Sequence, residues 1–457
     1  MLFSSIPFLY YFLPAVLIVH SVAPRKLKNA VLLLASLFFY GWGEPKYLAL
    51  MVVTVAVFYG CGLAIEQAKT RLGKKLWLTV AVVTGIGLLA VFKYADFFLQ
   101  SFASVTGLSI PLLRLALPIG ISFYTFQCIS YGVDVYRGNV KAQRNPVSFG
   151  AYVALFPQLI AGPIVRYVDV ARELENRTVT LEDAVYGARR FLIGLSKKVI
   201  LANQLGQLTE LFRASGEKSV LFHWMYAVAF MLHIYFDFSG YSDMAIGLGR
   251  LLGFHFIENF NYPYLSKSVT EFWRRWHMSL GSWFRDYVYI PMGGNRVSRG
   301  RWMFNILTVW MLTGLWHGAS WNFVFWGLFF AVLLLLEKFV DLEKLPCAVR
   351  RVYVLFAVMV SFVLFNASDL TQAVRDLAGL FGGYPLATAE SVYYLRSYAG
   401  VFLLSLVGAT PAVKLLASRI PEKVAAVLEL VVLAGLLLVC TGYLVDGSFN
   451  PFLYFRF

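Results

Sequence analysis

Apolar residues come in long blocks separated by short, mostly basic connections. The first block runs from Ile6 to Ala23, and Val31–Gly43, Leu48–Ile65, Leu76–Phe92, Leu112–Val133, Phe149–Val165 and Val220–Phe238 follow it. After a polar centre come Met303–Trp316, Trp321–Leu336, Val352–Phe365, Ala399–Val413 and Val424–Val445. At ~20 residues per crossing this pattern predicts an all-α polytopic membrane protein with roughly ten to thirteen transmembrane or re-entrant helices. Several blocks are too short to cross upright, so re-entrant pieces are expected.

No positive charge precedes the Ile6 block, and Pro24 would occupy the first position after a Ser21-Val22-Ala23 cleavage site, so the block reads as a retained span. Arg25, Lys26 and Lys28, then Lys69, Arg71, Lys74 and Lys75, then Arg137, Lys141 and Arg144 fall on one side of the membrane if each block crosses. The positive-inside rule then puts the N-terminus outside. No polar linker divides the chain, and residues 1–457 read as a single membrane domain.

Composition agrees. The 457 residues are 59% hydrophobic and 14% charged, against about 25% charged in a soluble domain. The 40 Lys+Arg against 25 Asp+Glu leave a net charge of +15. These cations sit between membrane-length blocks, which fits cytoplasmic loops facing anionic lipid and gives no reason to expect nucleic acid. The cysteines Cys61, Cys128, Cys347 and Cys440 are too scattered to suggest a disulfide framework or a zinc site.

The polar centre, 267–301, holds Lys267, Arg274, Arg275, Arg285, Arg296, Arg299 and Arg301 against Glu271 and Asp286. On a helix, Trp273, Trp276, Leu280, Trp283 and Tyr287 share one stripe, opposite Arg274, Arg285 and Glu271, with His277 at the border. Such a helix could lie at the interface with arginines on lipid phosphate, or floor a site for an anionic cofactor. The run ends at Pro291-Met-Gly-Gly-Asn295-Arg296, where two glycines allow close backbone approach.

His317 lies in or at the mouth of an apolar run, beside Trp316 and near Gly314, Gly318, Ala319 and Ser320. An ionisable side chain at membrane depth is a functional candidate. It reads either as a core histidine satisfied by a backbone carbonyl or as a general base, and the small neighbours favour the second. His233 and Asp237, four apart, precede Asp243, so a metal or proton site is conceivable there. Asp243 could equally cap a helix opening at Met244, and Asp237 could pair with an arginine of the polar centre.

No H-E-x-x-H, Walker P-loop, G-x-S-x-G or G-x-G-x-x-G occurs, which argues against a zinc hydrolase, a nucleotide-driven pump and a serine hydrolase. A transporter or flippase using Asp237, Asp243 and His317 as a proton path stays open.

Longer motifs carry more. Phe156-Pro-Gln-Leu-Ile-Ala-Gly-Pro163, Phe236-Asp-Phe-Ser-Gly-Tyr-Ser-Asp-Met-Ala-Ile-Gly247, Phe272-Trp-Arg-Arg-Trp-His-Met-Ser-Leu280 and Trp283-Phe-Arg-Asp-Tyr-Val-Tyr-Ile-Pro-Met-Gly-Gly-Asn-Arg296 stand in order along the chain. With Gly314-Leu-Trp-His-Gly318, the opening Leu2-Phe-Ser-Ser5 and the closing Asn450-Pro-Phe-Leu-Tyr-Phe-Arg-Phe457, they make the sequence resemble the membrane-bound O-acyltransferase family, in its bacterial alginate O-acetyltransferase branch.

The resemblance implies helices around a central funnel or tunnel in the bacterial cytoplasmic (inner) membrane. His317 matches the family's essential intramembrane histidine, and His277 its second, more variable catalytic position. It also implies acetyl-CoA or another acyl-CoA as donor substrate, with no permanently bound cofactor and no metal. The acceptor would be a polysaccharide such as alginate or peptidoglycan, reached through an extracytoplasmic acyltransferase partner of SGNH-hydrolase type. Arg274, Arg275, Arg285, Asn295, Arg296, Trp316 and Asp237 are the candidate donor- or substrate-binding residues. D-alanyl transfer to teichoic acid is the alternative within the family.

Overall fold

The computed structural model describes residues 1–447, 449–451 and 453. Part of the closing Asn450–Phe457 motif, namely Phe452 and 454–457, lies outside the described residues. Every regular element among those described is helical. Among the described residues six helical stretches are long and apolar enough to cross a membrane: Pro45–Gln67, Arg71–Thr106, Val220–Leu251, Trp321–Phe339, Cys347–Asn366 and Glu422–Val445. The chain is thus a multi-pass membrane protein; other apolar blocks lie in helices such as Arg299–His317 and Ala389–Gly408, and a shorter apolar helical stretch is Phe8–Val22.

The backbone divides into two compact units, one of Met1–Phe191 with Met244–Ile257, the other of Leu192–Asp243 with Glu258–Phe457. In the first, α1 (Leu48–Gln67), α2 (Arg71–Leu89) and α3 (Ile121–Arg137) pack together at glycines. A Cβ on Gly62 would stand 2.5 Å from the Tyr131 ring, and one on Gly85 would stand 2.8 Å from Ile129. Thr70 caps α2, its Oγ1 accepting from Gly73 N at 3.0 Å. The Leu112–Val133 block becomes helical only at Ile121. The Phe149–Val165 block breaks at Leu155, ahead of Pro157, because the proline ring disfavours an uninterrupted helix.

The second unit contains most of α4 (Val220–Leu251). It also holds α5 (Val269–Arg275), α6 (Met278–Phe284), α7 (Arg299–His317), α8 (Trp321–Phe339), α9 (Cys347–Asn366) and α10 (Glu422–Val445). Its core is strongly aromatic, with Phe230, Tyr235, Phe272, Trp276, Trp326, Phe330 and Phe362 buried in one cluster. Rings packed edge to face stabilise each other beyond their buried area by about 0.5–1.5 kcal/mol per pair.

The expected continuous helix through Trp273–Tyr287 is instead two helices, α5 and α6, separated by an extended Trp276 and a left-handed His277 at φ 46°. No Gly or Pro marks the break. Tertiary hydrogen bonds impose it: Asn261 N donates to Arg275 O at 2.9 Å and Met278 N donates to Asn259 O at 3.0 Å, taking the groups a continuous helix would have used internally. Asp243 likewise caps nothing, because α4 runs unbroken through Met244 and the carboxylate pairs with Lys197 Nζ at 2.6 Å.

Candidate active site

His317 is the last residue of α7, and the short Gly318-Ala-Ser320 link turns the chain into α8. The two helices touch backbone to backbone. A Cβ on Gly314 would stand 2.2 Å from Phe323 O, and one on Gly327 would stand 2.2 Å from Trp310 O. Only hydrogen fits at either position. The link is tied down by Asn322 Nδ2, which donates to Ala367 O at 2.9 Å. These contacts hold His317 at 7% exposure inside aromatic walls, its ring centroid 5.0 Å from Trp316, 5.0 Å from Trp326 and 5.5 Å from Phe365.

His277 reaches the same place from the break between α5 and α6. The start of α5 is held by the α8 carboxylate of Glu337, which accepts from Thr270 N at 2.9 Å, Thr270 Oγ1 at 2.8 Å and Val269 N. Ser268 Oγ accepts from Glu271 N at 3.0 Å. The His277 ring is buried, 4.7 Å from Phe238, 5.6 Å from Trp316 and 6.2 Å from His317, centroid to centroid. Two imidazoles from separate elements therefore stand side by side, with Trp316 touching both.

A cavity of about 20 Å³ lies against His317, with Asp237, Phe238, Trp276, Trp326 and Leu453 among its walls. That is room for about one water molecule.

An arginine of the polar centre was one conceivable partner for Asp237; the cation it meets is Lys198 instead. Its Oδ1 lies 2.6 Å from Lys198 Nζ, with side chains 1% and 2% exposed. Its Oδ2 accepts from Leu453 N at 3.1 Å, Lys198 also donates to Pro451 O, and Asn203 Nδ2 donates to Asn450 Oδ1 at 3.1 Å. The pair thus holds Pro451 and Leu453, and Leu453 walls the cavity. Lys198 lies in a π-helical stretch, Lys197–Ala202, brought close to α4 by Gly240, whose Cβ would stand 2.8 Å from Gly194 O. Nothing singled out Lys198 in the sequence, although a lysine directly before the apolar Val199-Ile-Leu201 was the available signal. Among the described residues no group of three His, Cys, Asp or Glu side chains could hold a metal ion.

The basic centre is not gathered at the histidines. Arg274, Arg285, Asn295 and Arg296 are exposed. Arg275 pairs with Glu271 at 2.9 Å, and Arg285 pairs with Asp286 at 2.7 Å. None of these is among the described residues lining the cavity.

The chain matches the family model described as MBOAT, membrane-bound O-acyltransferase family, over residues 39–367. It is 43% identical over 389 residues to the probable alginate O-acetylase AlgI of Azotobacter vinelandii, covering 83% of this chain and 78% of the relative. It is 33% identical over 442 residues to the peptidoglycan O-acetyltransferase of Helicobacter pylori, covering 88% and 83%. Similarity to the teichoic acid D-alanyltransferase of Bacillus subtilis is 30% over 236 residues, 49% of this chain and 59% of that one.

Proposed function

The chain belongs to the membrane-bound O-acyltransferase family, and from that premise we propose that it takes an acetyl group from cytoplasmic acetyl-CoA for O-acetylation of a polysaccharide outside the bacterial cytoplasmic membrane. A secreted acyltransferase of SGNH-hydrolase type receives the group and decorates alginate, peptidoglycan or a related glycan. The observation that carries the reading is the pair of buried imidazoles 6.2 Å apart beside a cavity. O-acetylating relatives match most of the chain, while the D-alanyl-transferring relative matches about half.

His317 removes the proton from the acceptor hydroxyl as the hydroxyl oxygen bonds the acyl carbon, or takes the acyl group itself and passes it on. The C–S bond breaks, coenzyme A leaves as the thiol with the released proton, and His277 orients the reacting groups. The exposed Arg274, Arg285, Asn295 and Arg296, with Arg275, present cations and donors to the phosphates of the incoming thioester. The rival proton path through Asp237 and Asp243 loses support because each carboxylate is engaged by a lysine, Lys198 and Lys197.

The test is acyl turnover by purified protein in lipid. Acetyl-CoA cleavage that disappears in a folded His317→Ala variant supports the enzyme, and undiminished cleavage in that variant overturns the reading.

A further inference from the structure

Asn259 is buried between α4 and the α5–α6 break, and its backbone carbonyl and both side-chain amide atoms have neighbours. Its backbone O accepts from Met278 N at 3.0 Å, and its Nδ2 donates to Ser242 Oγ at 3.0 Å. Its Oδ1 accepts from Ser279 N at 3.2 Å and from Ser279 Oγ at 2.9 Å, and lies 3.2 Å from His277 Nδ1. A backbone N–H can only donate, so the amide atom facing Ser279 must be the oxygen. His277 Nδ1, facing that same oxygen, must then carry a hydrogen. In a neutral imidazole only one nitrogen does, which places the lone pair on Nε2, at the ring edge away from Asn259.

The ring has little freedom to escape this. It is carried on a left-handed backbone at φ 46°, which a non-glycine residue adopts at a cost and keeps only when its surroundings dictate it. Phe238 meets it edge to face at 90°, and Trp316 packs on it at 63°. The same Asn259 that fixes the tautomer also bonds the backbone on the far side of the break, so one residue contributes to both the backbone conformation and the tautomer.

From this geometry we infer that Asn259 is a positioning residue that holds neutral His277 as a hydrogen-bond acceptor at Nε2. The inference rests on reading His277 as part of the acyl-transfer site. It sharpens that reading: neutral His277 receives a hydrogen bond from a hydroxyl-bearing group in the site, and it can donate to a thioester oxygen only after gaining a proton. Among the described residues His317 on α7 stands in ring contact with it, and Asp237, paired with Lys198, lines the cavity beside His317.

The experiment compares Asn259→Asp, Asn259→Leu and His277→Ala in the full-length protein in lipid, reading acetyl-CoA cleavage against pH. Asn259→Asp keeps an acceptor at Nδ1 and adds a negative charge that favours imidazolium, so activity persists while the acidic limb of the rate profile moves up by about one unit. Asn259→Leu removes the acceptor, and kcat falls about 10- to 100-fold with KM little changed. If Asn259→Leu fails to fold, Asn259→Asp alone decides, because its limb reports on the imidazole and not on fold stability. An unmoved limb in active Asn259→Asp, with His277→Ala inactive, overturns the inference alone. Full activity in His277→Ala overturns the assignment of His277 itself.

Discussion

Replacing Lys198 with Met leaves the Asp237 carboxylate buried without its cation. The two side chains are 2% and 1% exposed and the ion pair spans 2.6 Å. Removing one member of such a pair costs about 3–5 kcal/mol, most of it the penalty of stranding the other charge. Asp237→Leu should cost a similar amount by stranding the lysine. The double variant Lys198→Met/Asp237→Leu has no stranded charge, and apolar replacement of a buried pair is near neutral or better. What it still lacks is the two hydrogen bonds to Pro451 O and from Leu453 N, a net loss of about 1 kcal/mol each. The double variant should therefore sit about 2 kcal/mol below the parent and above either single variant. Equilibrium unfolding by denaturing detergent in mixed micelles reads these differences directly. A double variant as unstable as the two single losses combined, or a Lys198→Met protein within about 1 kcal/mol of the parent, would refute the claim that these charges act as a unit. Acetyl-CoA turnover separates stability from site geometry: the double variant folds but no longer pins Leu453, so kcat should fall even where folding is recovered.

Other substitutions test how the histidines are held. Gly314→Ala places a methyl 2.2 Å from Phe323 O, so α7 and α8 must separate; a destabilisation of about 1–3 kcal/mol with reduced turnover is expected, while Gly300→Ala, with open space around it, should match the parent by thermal denaturation. Glu337→Ala strips the start of α5 of an acceptor for Thr270 N, Thr270 Oγ1 and Val269 N. It should cost about 1–3 kcal/mol and lower kcat by loosening the α5–α6 break, an effect that Glu337→Gln should partly rescue. Arg274→Gln combined with Arg275→Gln should raise KM for acetyl-CoA, and an unchanged KM in steady-state kinetics would remove these residues from donor binding.

His317 was legible because it violates the local pattern: an ionisable ring among apolar residues, flanked by glycines whose only contribution is room. The glycines proved to serve close helix contact at Gly314 and Gly327 as much as space beside the ring. The helical stripe through Trp273–Tyr287 was real as a periodicity and wrong as one helix. Spacing counts side-chain types and is blind to the Asn259 and Asn261 backbone groups, distant in sequence, that split it at His277. Asp237 was flagged as a buried acid, but its partner could not be read, since an arginine-rich block nearby in sequence was the obvious source of charge and the actual cation is Lys198. Asn259 carried no signal at all, being an unremarkable polar residue in a loop until its three acceptor contacts are seen.

The buried pair also sets a timetable for biogenesis. Lys198 leaves the ribosome roughly forty residues ahead of Asp237, a delay of about 2–8 s at ~5–20 residues per second. During that interval the ammonium has no Asp237 to pair with, and burying an unpaired cation carries a heavy cost. The burial seen in the finished protein can form only once that counter-ion arrives. Pro451 and Leu453 follow about two hundred residues later still, so a nascent chain halted before Asn450 holds its two charges without the carbonyl and the N–H that complete their hydrogen bonds.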